Sequence, residues 1–195
     1  MEYIVTDFGG VLLRTRNGDF AVNGGAMPRR LSSAYVRENG ELKAIILTSE
    51  HLNRADGAAI FAEDQGIPLV VSLVATALRR DLTLGGRRPT TFLTPASLEI
   101  AGVRLHFHTL YNDSVDPCFL TVEADGSRIG IVPDGRLDAG SVLPLRGCDE
   151  VLLGNRLDLP PAAPGALARR LRSVSNTDAE LEKLFRGYGG KLTLL

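Results

Sequence analysis

A short apolar run that passes directly into a polar turn sets the strongest limit on the fold of this chain. The segment Ala44–Leu47 is apolar and contains two isoleucines, which predicts a buried strand. Thr48, Ser49, Glu50 and His51 follow it without a spacer. In α/β proteins the loops at the carboxyl ends of strands carry the binding and catalytic groups. We therefore expect a functional loop that begins at Thr48.

Strand patterns and helical patterns alternate along the chain, which predicts an α/β fold. Ala58–Glu63 predicts a helix that ends at Gly66, and Ile67–Val71 predicts the strand after it. Other apolar or alternating segments predict strands that turn residues connect as antiparallel hairpins. These segments are Val11–Thr15, Asp19–Val22, Leu98–Ile100, Val103–His108 and Phe119–Glu123.

Two helices are predicted near the carboxyl end. The first covers Ala166–Leu171 and follows a short loop with three prolines. Thr177 and Glu180 have the spacing of a capping box, so a second helix is expected to begin there and to run through Phe185. Because the apolar pattern continues beyond the proline loop, we interpret that loop as an internal connection.

Composition limits the domain number and the kinds of partner. A chain of 195 residues with 44% hydrophobic content can bury one good core, so residues 1–195 are expected to form a single domain. The net charge is −1, with 22 basic and 23 acidic residues, which does not indicate binding to nucleic acid or to an anionic membrane. The arginine pairs along the chain, such as Arg169-Arg170, are typical of solvated surface.

The amino terminus and the cysteines indicate the cellular compartment of the protein. The first residues lack the basic start and apolar stretch of an export signal, and no run has the length of a membrane span. Cys118 and Cys148 are far apart in sequence and form no Cys-x-x-Cys pair. We expect a cytoplasmic protein in which both thiols are reduced, buried and used as small hydrophobic groups.

The loop after the apolar run resembles the metal-binding motif of the metallo-β-lactamase superfamily, Thr-His-x-His-x-Asp-His. Thr48, Ser49, His51, Asn53 and Arg54 occupy its five specified positions in order. The resemblance implies an αββα sandwich, in which mixed and largely antiparallel sheets are covered by outer helices.

The resemblance recurs along the chain in the order of the family. Asn23 stands where the family has the aspartate of Asp-x-Gly, and Asn112 stands for the histidine of His-Asp-x-x-Asp-Pro, a motif of the branch that includes the WalJ/YycJ-type proteins. Asp134 matches the metal-bridging aspartate. Arg156 and Ser173 stand where Ser-Asn-His and Gly-His-Leu-Ser-Asn have histidine. The former metal-site positions are therefore mostly occupied by other residue types.

These replacements predict the loss of the binuclear centre. Zinc and related metals need imidazole, thiolate or carboxylate ligands, and a catalytic centre uses about three of them. A guanidinium has no lone pair to donate, and its charge at about 4 Å from a divalent ion costs roughly 8 kcal/mol at an effective dielectric of about 20. Of the usual ligands only His51 and Asp134 remain. No cofactor is expected, although zinc, manganese or iron would be needed for a reduced mononuclear site.

The histidines have two interpretations each. In the first interpretation, His51 shuttles a proton or is a ligand of a weak mononuclear site. In the second, which is favoured, it is an inert relic held by a hydrogen bond. His106 and His108 are two apart in a predicted strand and share a face, so they could chelate a metal. Since one such pair supplies only two ligands, a surface or core role is favoured for them.

The arginines suggest a different use of the same site. We hypothesise that Arg54 forms an ion pair with Asp134, so that a guanidinium does the structural task of the lost metal, with Arg156 adding positive potential. A cleft that contains these arginines together with Asn53, Asn112, Ser49 and Ser173 would suit a phosphate, nucleotide or other small anion. Drift of a redundant site explains the same residues equally well.

Three functions remain at this stage. The leading hypothesis is a degenerate, noncatalytic binding or interaction module, with a small anion or a protein as its partner and self-association left open. The alternative is a metal-dependent hydrolase of phosphodiester, nucleic-acid or ester bonds, as the resemblance implies, with a mononuclear site of His51, Asp134 and a further ligand such as Asp56 or Asp113. The third is a metal-free hydrolase, but the sequence has no Gly-x-Ser-x-Gly turn.

Overall fold

Two six-stranded sheets packed face to face form the centre of the protein. The computed structural model describes residues 1–6, 10–23, 41–51, 57–83, 88–157 and 164–195. The first sheet has the order β1 (Glu2–Thr6), β2 (Gly10–Thr15), β3 (Gly18–Val22), β4 (Leu42–Ile46), β5 (Leu69–Ser72) and β6 (Thr90–Phe92). The second runs in sequence order from one edge to the other through β7 (Ala96–Ile100), β8 (Val103–Thr109), β9 (Cys118–Ala124), β10 (Ser127–Val132), β11 (Glu150–Leu153) and β12 (Lys191–Leu194).

Helices lie on the outer faces of the sheets. They are α1 (Ala58–Gln65), α2 (Leu73–Leu78), α3 (Gly165–Val174) and α4 (Asp178–Leu184), with 3-10 turns at Arg80–Thr83 and Leu143–Gly147. Helix α1 ends at Gly66, which adopts the left-handed conformation with φ 69°. Helix α4 begins with the capping box that the sequence predicts, in which Thr177 and Glu180 each bond the other's backbone N–H. Every helix among the described residues is too short or too polar to span a bilayer.

Each sheet is part antiparallel and part parallel. In the first sheet β1, β2 and β3 pair antiparallel, whereas β3 to β6 pair parallel. In the second sheet β7 to β10 are antiparallel, and β10, β11 and β12 are parallel. Parallel pairs are therefore as frequent as antiparallel ones among the described strands, where a largely antiparallel arrangement was expected. The reason is that crossovers, which parallel neighbours require, are invisible in the local strand pattern.

The core has three layers of apolar contact. The central layer joins the inner faces of both sheets, with Phe20, Phe107 and Leu120 fully buried in it. On the outside of the first sheet, α1 packs through Phe61 and its alanines. On the outside of the second sheet, α4 packs through Leu181. This arrangement of helix, sheet, sheet and helix is the predicted αββα sandwich.

The two cysteines are buried within these layers. Cys118 and Cys148 are free thiols with 2% and 5% of their surface exposed. Burial raises the pKa of Cys118 far above its ordinary value, and it raises the pKa of Cys148 to about 11. Both thiols are therefore protonated at neutral pH and act as small apolar groups, as the sequence analysis predicts.

The two histidines of β8 have separate partners. The Nδ1 atom of His106 lies 2.7 Å from Ser97 Oγ, and His108 Nε2 lies 3.0 Å from Thr121 Oγ1. The His108 ring also stacks on Phe119 with a centroid distance of 4.8 Å. These contacts give each ring a structural place on the outer face of the second sheet, in line with the favoured interpretation.

His108 makes stability depend on pH. Burial, followed by the charges of His106 and Arg128, lowers the pKa of His108 from 6.5 to about 4. Below pH about 6.5 the unfolded chain binds a proton at this ring that the folded chain does not bind until about pH 4. The free energy of unfolding should therefore fall across this window by about 2 kcal/mol, a figure reduced for the half-buried ring.

Urea unfolding of the wild-type protein and of His108→Gln at several pH values measures this effect. The difference in unfolding free energy between the two proteins should shrink as the pH falls, because glutamine does not titrate. A difference that stays constant between pH 6.5 and 4 would contradict the lowered pKa of His108.

Candidate functional site

The candidate site lies where the carboxyl end of β4 meets the loop between β8 and β9. The first residue of β9, Cys118, donates its backbone N–H to the carbonyl oxygen of Thr48 at 3.2 Å. The carboxylate of Glu50 accepts a hydrogen bond from the backbone N–H of Val115, with its two oxygens at 3.2 and 3.3 Å. These contacts join the two sheets at one end of the sandwich and place the predicted loop there.

Asn23 fixes the turn after β4. It is fully buried and adopts a left-handed backbone conformation with φ 50°. Its Oδ1 accepts a hydrogen bond from Thr48 N at 2.9 Å, and its Nδ2 donates to Thr48 Oγ1 at 2.7 Å. The side chain that stands for the family's aspartate is thus used to hold Thr48.

The β8–β9 loop is also anchored from the first sheet. Asp116 accepts hydrogen bonds of 2.5 Å from the hydroxyl groups of Ser72 and Thr94. Arg79 donates to the carbonyl oxygen of Glu50 at 2.8 Å and pairs with Asp81. Asp116 and Arg79 therefore fix the outline of the site from the side of the first sheet.

His51, Asp113 and Arg170 form a chain of polar contacts across the site. His51 Nε2 lies 3.6 Å from Asp113 Oδ1, and the other oxygen of Asp113 pairs with Arg170 Nε. The hydrogen bond from Arg170 holds the pKa of Asp113 below its usual value. Helix α3 thus places a permanent cation beside the carboxylate that lies nearest His51.

Asp134 adds negative charge to the surroundings of Arg170. It follows β10 directly, and its Oδ1 accepts a hydrogen bond from Gly135 N at 2.8 Å. The pKa of Arg170 is raised, mainly by the hydrogen bond and charge of Asp113 and further by the charge of Asp134. The retained aspartate is therefore within electrostatic reach of the α3 guanidinium.

Two side chains position α3 and α4 against this end of the sheet. Arg136 donates to the carbonyl oxygens of Arg172 at 3.1 Å and Ser175 at 2.8 Å, and it pairs with Glu180. The first two contacts cap the carboxyl end of α3. The side chain of Asn176 holds the connection between the helices, since it bonds the backbone of Leu137 and the side chain of Asn155.

Other sequence-predicted site residues are engaged in local contacts. Asn112 Oδ1 accepts a hydrogen bond from Asp113 N at 2.6 Å, and the exposed Ser173 donates to the carbonyl oxygen of Arg170 at 2.7 Å. Arg156 makes two hydrogen bonds to Asp178, at 2.7 and 2.9 Å. Its guanidinium is therefore paired on the surface.

Part of the predicted site is not covered by the described residues. Asn53, Arg54 and Asp56 lie outside them, so the hypothesis that Arg54 pairs with Asp134 stays a prediction. Ser49 lies inside them and is 6% exposed. Its hydroxyl group has no hydrogen-bond partner in the described part of the chain.

The described donors do not fit a binuclear metal centre. No group of three or more His, Cys, Asp or Glu side chains that could hold an ion occurs among the described residues. The chain has only three histidines, and two of them lie on the outer face of the second sheet. Amide and hydroxyl side chains stand at Asn23, Ser49, Asn112 and Ser173, and they are weak zinc ligands.

Sequence reasoning missed the roles of Arg170, Glu50, Asp116 and Arg136. Arg170 was assigned to solvated surface as part of an arginine pair, although its helix was predicted. The helical pattern gives no indication of which arginine points to the site, because both are exposed. Its partner Asp113 is 57 residues away, a distance over which local patterns carry no signal.

Solved structures with the same architecture are known. The chain is similar to YhfI from Bacillus subtilis, a metallo-β-lactamase fold protein, with a TM-score of 0.72 and 16% identity over 97% of this chain and 77% of that one. It is similar to Zn²⁺-bound PqqB from Methylobacterium extorquens, with a TM-score of 0.62 and 14% identity over 76% and 58% of the two chains. It is also similar to the class B3 di-zinc metallo-β-lactamase LRA-12 from an Alaskan soil metagenome, with a TM-score of 0.60 and 13% identity over 92% of this chain and 86% of that one.

Sequence comparison alone finds no relative, since no protein-family model and no curated protein match the chain. The structural likeness covers nearly the whole chain in the case of YhfI. At such low identity it establishes the architecture and nothing of the activity. The protein has the metallo-β-lactamase fold.

Proposed function

We propose that this protein is a noncatalytic binding or interaction module, a degenerate relative of the WalJ/YycJ-type branch that has lost the binuclear metal centre of its fold. The observation that carries the proposal is the use of the former ligand positions in structural hydrogen bonds. Asn23 holds Thr48, Asn112 closes a turn on Asp113, and Ser173 bonds its own helix. Side chains with these tasks maintain the outline of a site without offering it metal ligands.

The charges of the described residues weigh against a free anion as the ligand. Arg156 pairs with Asp178, Arg170 with Asp113 and Arg79 with Asp81. An anion would have to compete with a carboxylate for each of these guanidinium groups. The anion-binding hypothesis therefore rests mainly on Arg54, and a thermal-shift screen with phosphate and nucleotides tests it directly.

Metal content is the decisive measurement for this proposal. Protein purified without chelator, incubated with zinc, manganese or ferrous iron and then desalted should hold far less than one metal per chain. The physical reason is that His51 and one or two carboxylates form too small a ligand set to retain an ion through desalting. Near-stoichiometric metal that disappears in His51→Ala would contradict the proposal.

One observation favours the alternative of a metal-dependent hydrolase. His51 Nε2 and Asp113 Oδ1 are 3.6 Å apart, close to the separation of about 3.4 Å between two ligands of one tetrahedral ion with bonds near 2.1 Å. This alternative needs a third ligand such as Asp134, whereas no group of three side chains that could hold an ion occurs among the described residues. Hydrolysis of a phosphodiester substrate that requires added metal and is lost in His51→Ala would support this alternative, whereas equal background rates in both proteins support the binding module.

A further inference from the structure

A residue of the chain itself supplies positive charge to the candidate site. We propose that the guanidinium of Arg170 is the resident cation of this site, where it replaces a divalent ion and latches helix α3 over the ends of the strands. The inference rests on the proposed loss of the metal centre, and it adds that the Arg170 guanidinium takes the place of the metal ion. It also assigns a role to a residue that has no counterpart among the former ligand positions.

The geometry around Asp113 supports this assignment. One oxygen of its carboxylate pairs with Arg170 Nε, and the other lies 3.6 Å from His51 Nε2. Asp134 raises the affinity of Arg170 for its proton through its charge. Arg170 therefore holds the carboxylate that contacts His51, and the charge of Asp134 acts on the same guanidinium.

A guanidinium in this position works against a metal in two ways. It has no lone pair to donate, and it remains charged at any physiological pH. An ion that bound Asp113 would lie within about 5 Å of this charge, where repulsion is strong even at an effective dielectric of about 20. A divalent ion would have to displace Arg170 before it could bind.

Helix α3 depends on this contact because it buries little apolar surface. Among its ten residues, only Val174 is buried. Its carboxyl end is held by Arg136, which bonds the carbonyl oxygens of Arg172 and Ser175. Elements with few buried contacts open at low free-energy cost, so the ion pair with Asp113 is the contact that holds the middle of the helix to the site.

The substitution Arg170→Gln tests the role of the cation, and Arg169→Gln is the matched control on the same helix. Loss of Arg170 should lower the melting temperature by about 2–4 °C, because an exposed ion pair contributes about 1 kcal/mol. Millimolar Mn²⁺ should restore the melting temperature of Arg170→Gln and reduce the electron paramagnetic resonance signal of free Mn²⁺. It should do neither with the wild-type protein or with Arg169→Gln, since Asp113 and His51 lose the competing guanidinium only in the first variant.

Two further proteins make the outcome unambiguous. Arg170→Gln combined with Asp113→Asn should lose the Mn²⁺ response, because it removes one of the ligands. In Asp113→Asn alone the backbone amides of α3 should exchange hydrogen several-fold faster than in the wild type, and this measurement does not depend on the folding of Arg170→Gln. Unchanged hydrogen exchange in Asp113→Asn would contradict the claim that the ion pair with Asp113 holds helix α3 in place.

The result separates this inference from the proposed function. A wild-type protein that binds Mn²⁺ stoichiometrically contradicts the loss of the metal centre. A wild-type protein that does not bind it, together with an Arg170→Gln variant that does not respond to it, contradicts only the role of Arg170. Restoration of Arg170→Gln by Mn²⁺ with an inert wild type supports both.

Discussion

Replacement of Asn176 by alanine is expected to lower the free energy of unfolding by about 3–4 kcal/mol. Asn176 is 1% exposed. Its Oδ1 accepts hydrogen bonds from Leu137 N at 2.8 Å and Asn155 Nδ2 at 2.9 Å, and its Nδ2 donates to the Leu137 carbonyl oxygen at 3.0 Å. Alanine would leave these three groups buried without partners, and each unsatisfied group costs about 1–3 kcal/mol.

Urea unfolding followed by circular dichroism measures this cost, and Asn112→Ala is the matched control. The Asn112 side chain makes one hydrogen bond to the neighbouring Asp113 N–H at a half-buried position. Its loss should cost about 1 kcal/mol or less. Equal costs for the two variants would show that water replaces the Asn176 amide and that the helix connection does not depend on it.

Much of the fold was predictable because its signals are local. The capping box of Thr177 and Glu180, the stop of α1 at Gly66 and the hairpin of β2 and β3 each depend on residues that are neighbours in sequence. Strand β12 was not predicted, because its four residues pair in parallel with β11, about forty positions earlier, and are defined by that neighbour.

The turn that carries the candidate site was predictable in position, whereas most of its contacts were not. The turn after β4 lies where the apolar run indicates, with Thr48 and His51 at the end of the strand. The contacts that give the site its charge are long-range, since Glu50 and Val115 are 65 residues apart and Arg170 and Asp113 are 57 apart. Which arginine of a helix meets which carboxylate depends on helix rotation and packing, and these are tertiary properties.

The contacts of the asparagines and serines were also not predictable from local sequence patterns. Their residue types predict weak metal ligands, and the sequence carries no information on the partners that they bond in the structure. Asn23 turned out to bond Thr48, and Ser173 bonds the backbone of its own helix. Hydroxyl and amide side chains readily form such local bonds, although the buried hydroxyl of Ser49 has no partner among the described residues.

Asn23 should show the second large effect, with a cost of about 4 kcal/mol for Asn23→Ala. Alanine removes the acceptor for Thr48 N and the donor to Thr48 Oγ1, both of which are buried. It also has to adopt the left-handed conformation of this residue, φ 50°, which costs a residue with a Cβ atom roughly 1–2 kcal/mol.

Two other substitutions separate the backbone from the side chain. Asn23→Gly removes the conformational cost but not the lost hydrogen bonds, so it should destabilise by about 1 kcal/mol less than alanine. Asn23→Asp keeps the acceptor for Thr48 N and tolerates the left-handed conformation, while the Thr48 hydroxyl can rotate to donate to the second carboxylate oxygen. It should therefore cost less than alanine, because both hydrogen bonds are retained and only the desolvation of the buried carboxyl group is added.

The predicted order of stability is wild type, Asn23→Asp, Asn23→Gly and Asn23→Ala, measured by urea unfolding at neutral pH. If Asn23→Asp is as destabilising as Asn23→Ala, the amide group that donates to Thr48 is indispensable, and this turn requires asparagine. A well-tolerated aspartate would mean that either residue holds Thr48 equally, because the acceptor oxygen carries the task. In that case the asparagine at position 23 is compatible with a metal-bound and a metal-free site alike, and the difference between them lies in the positions of Ser49, Asn112 and Arg170.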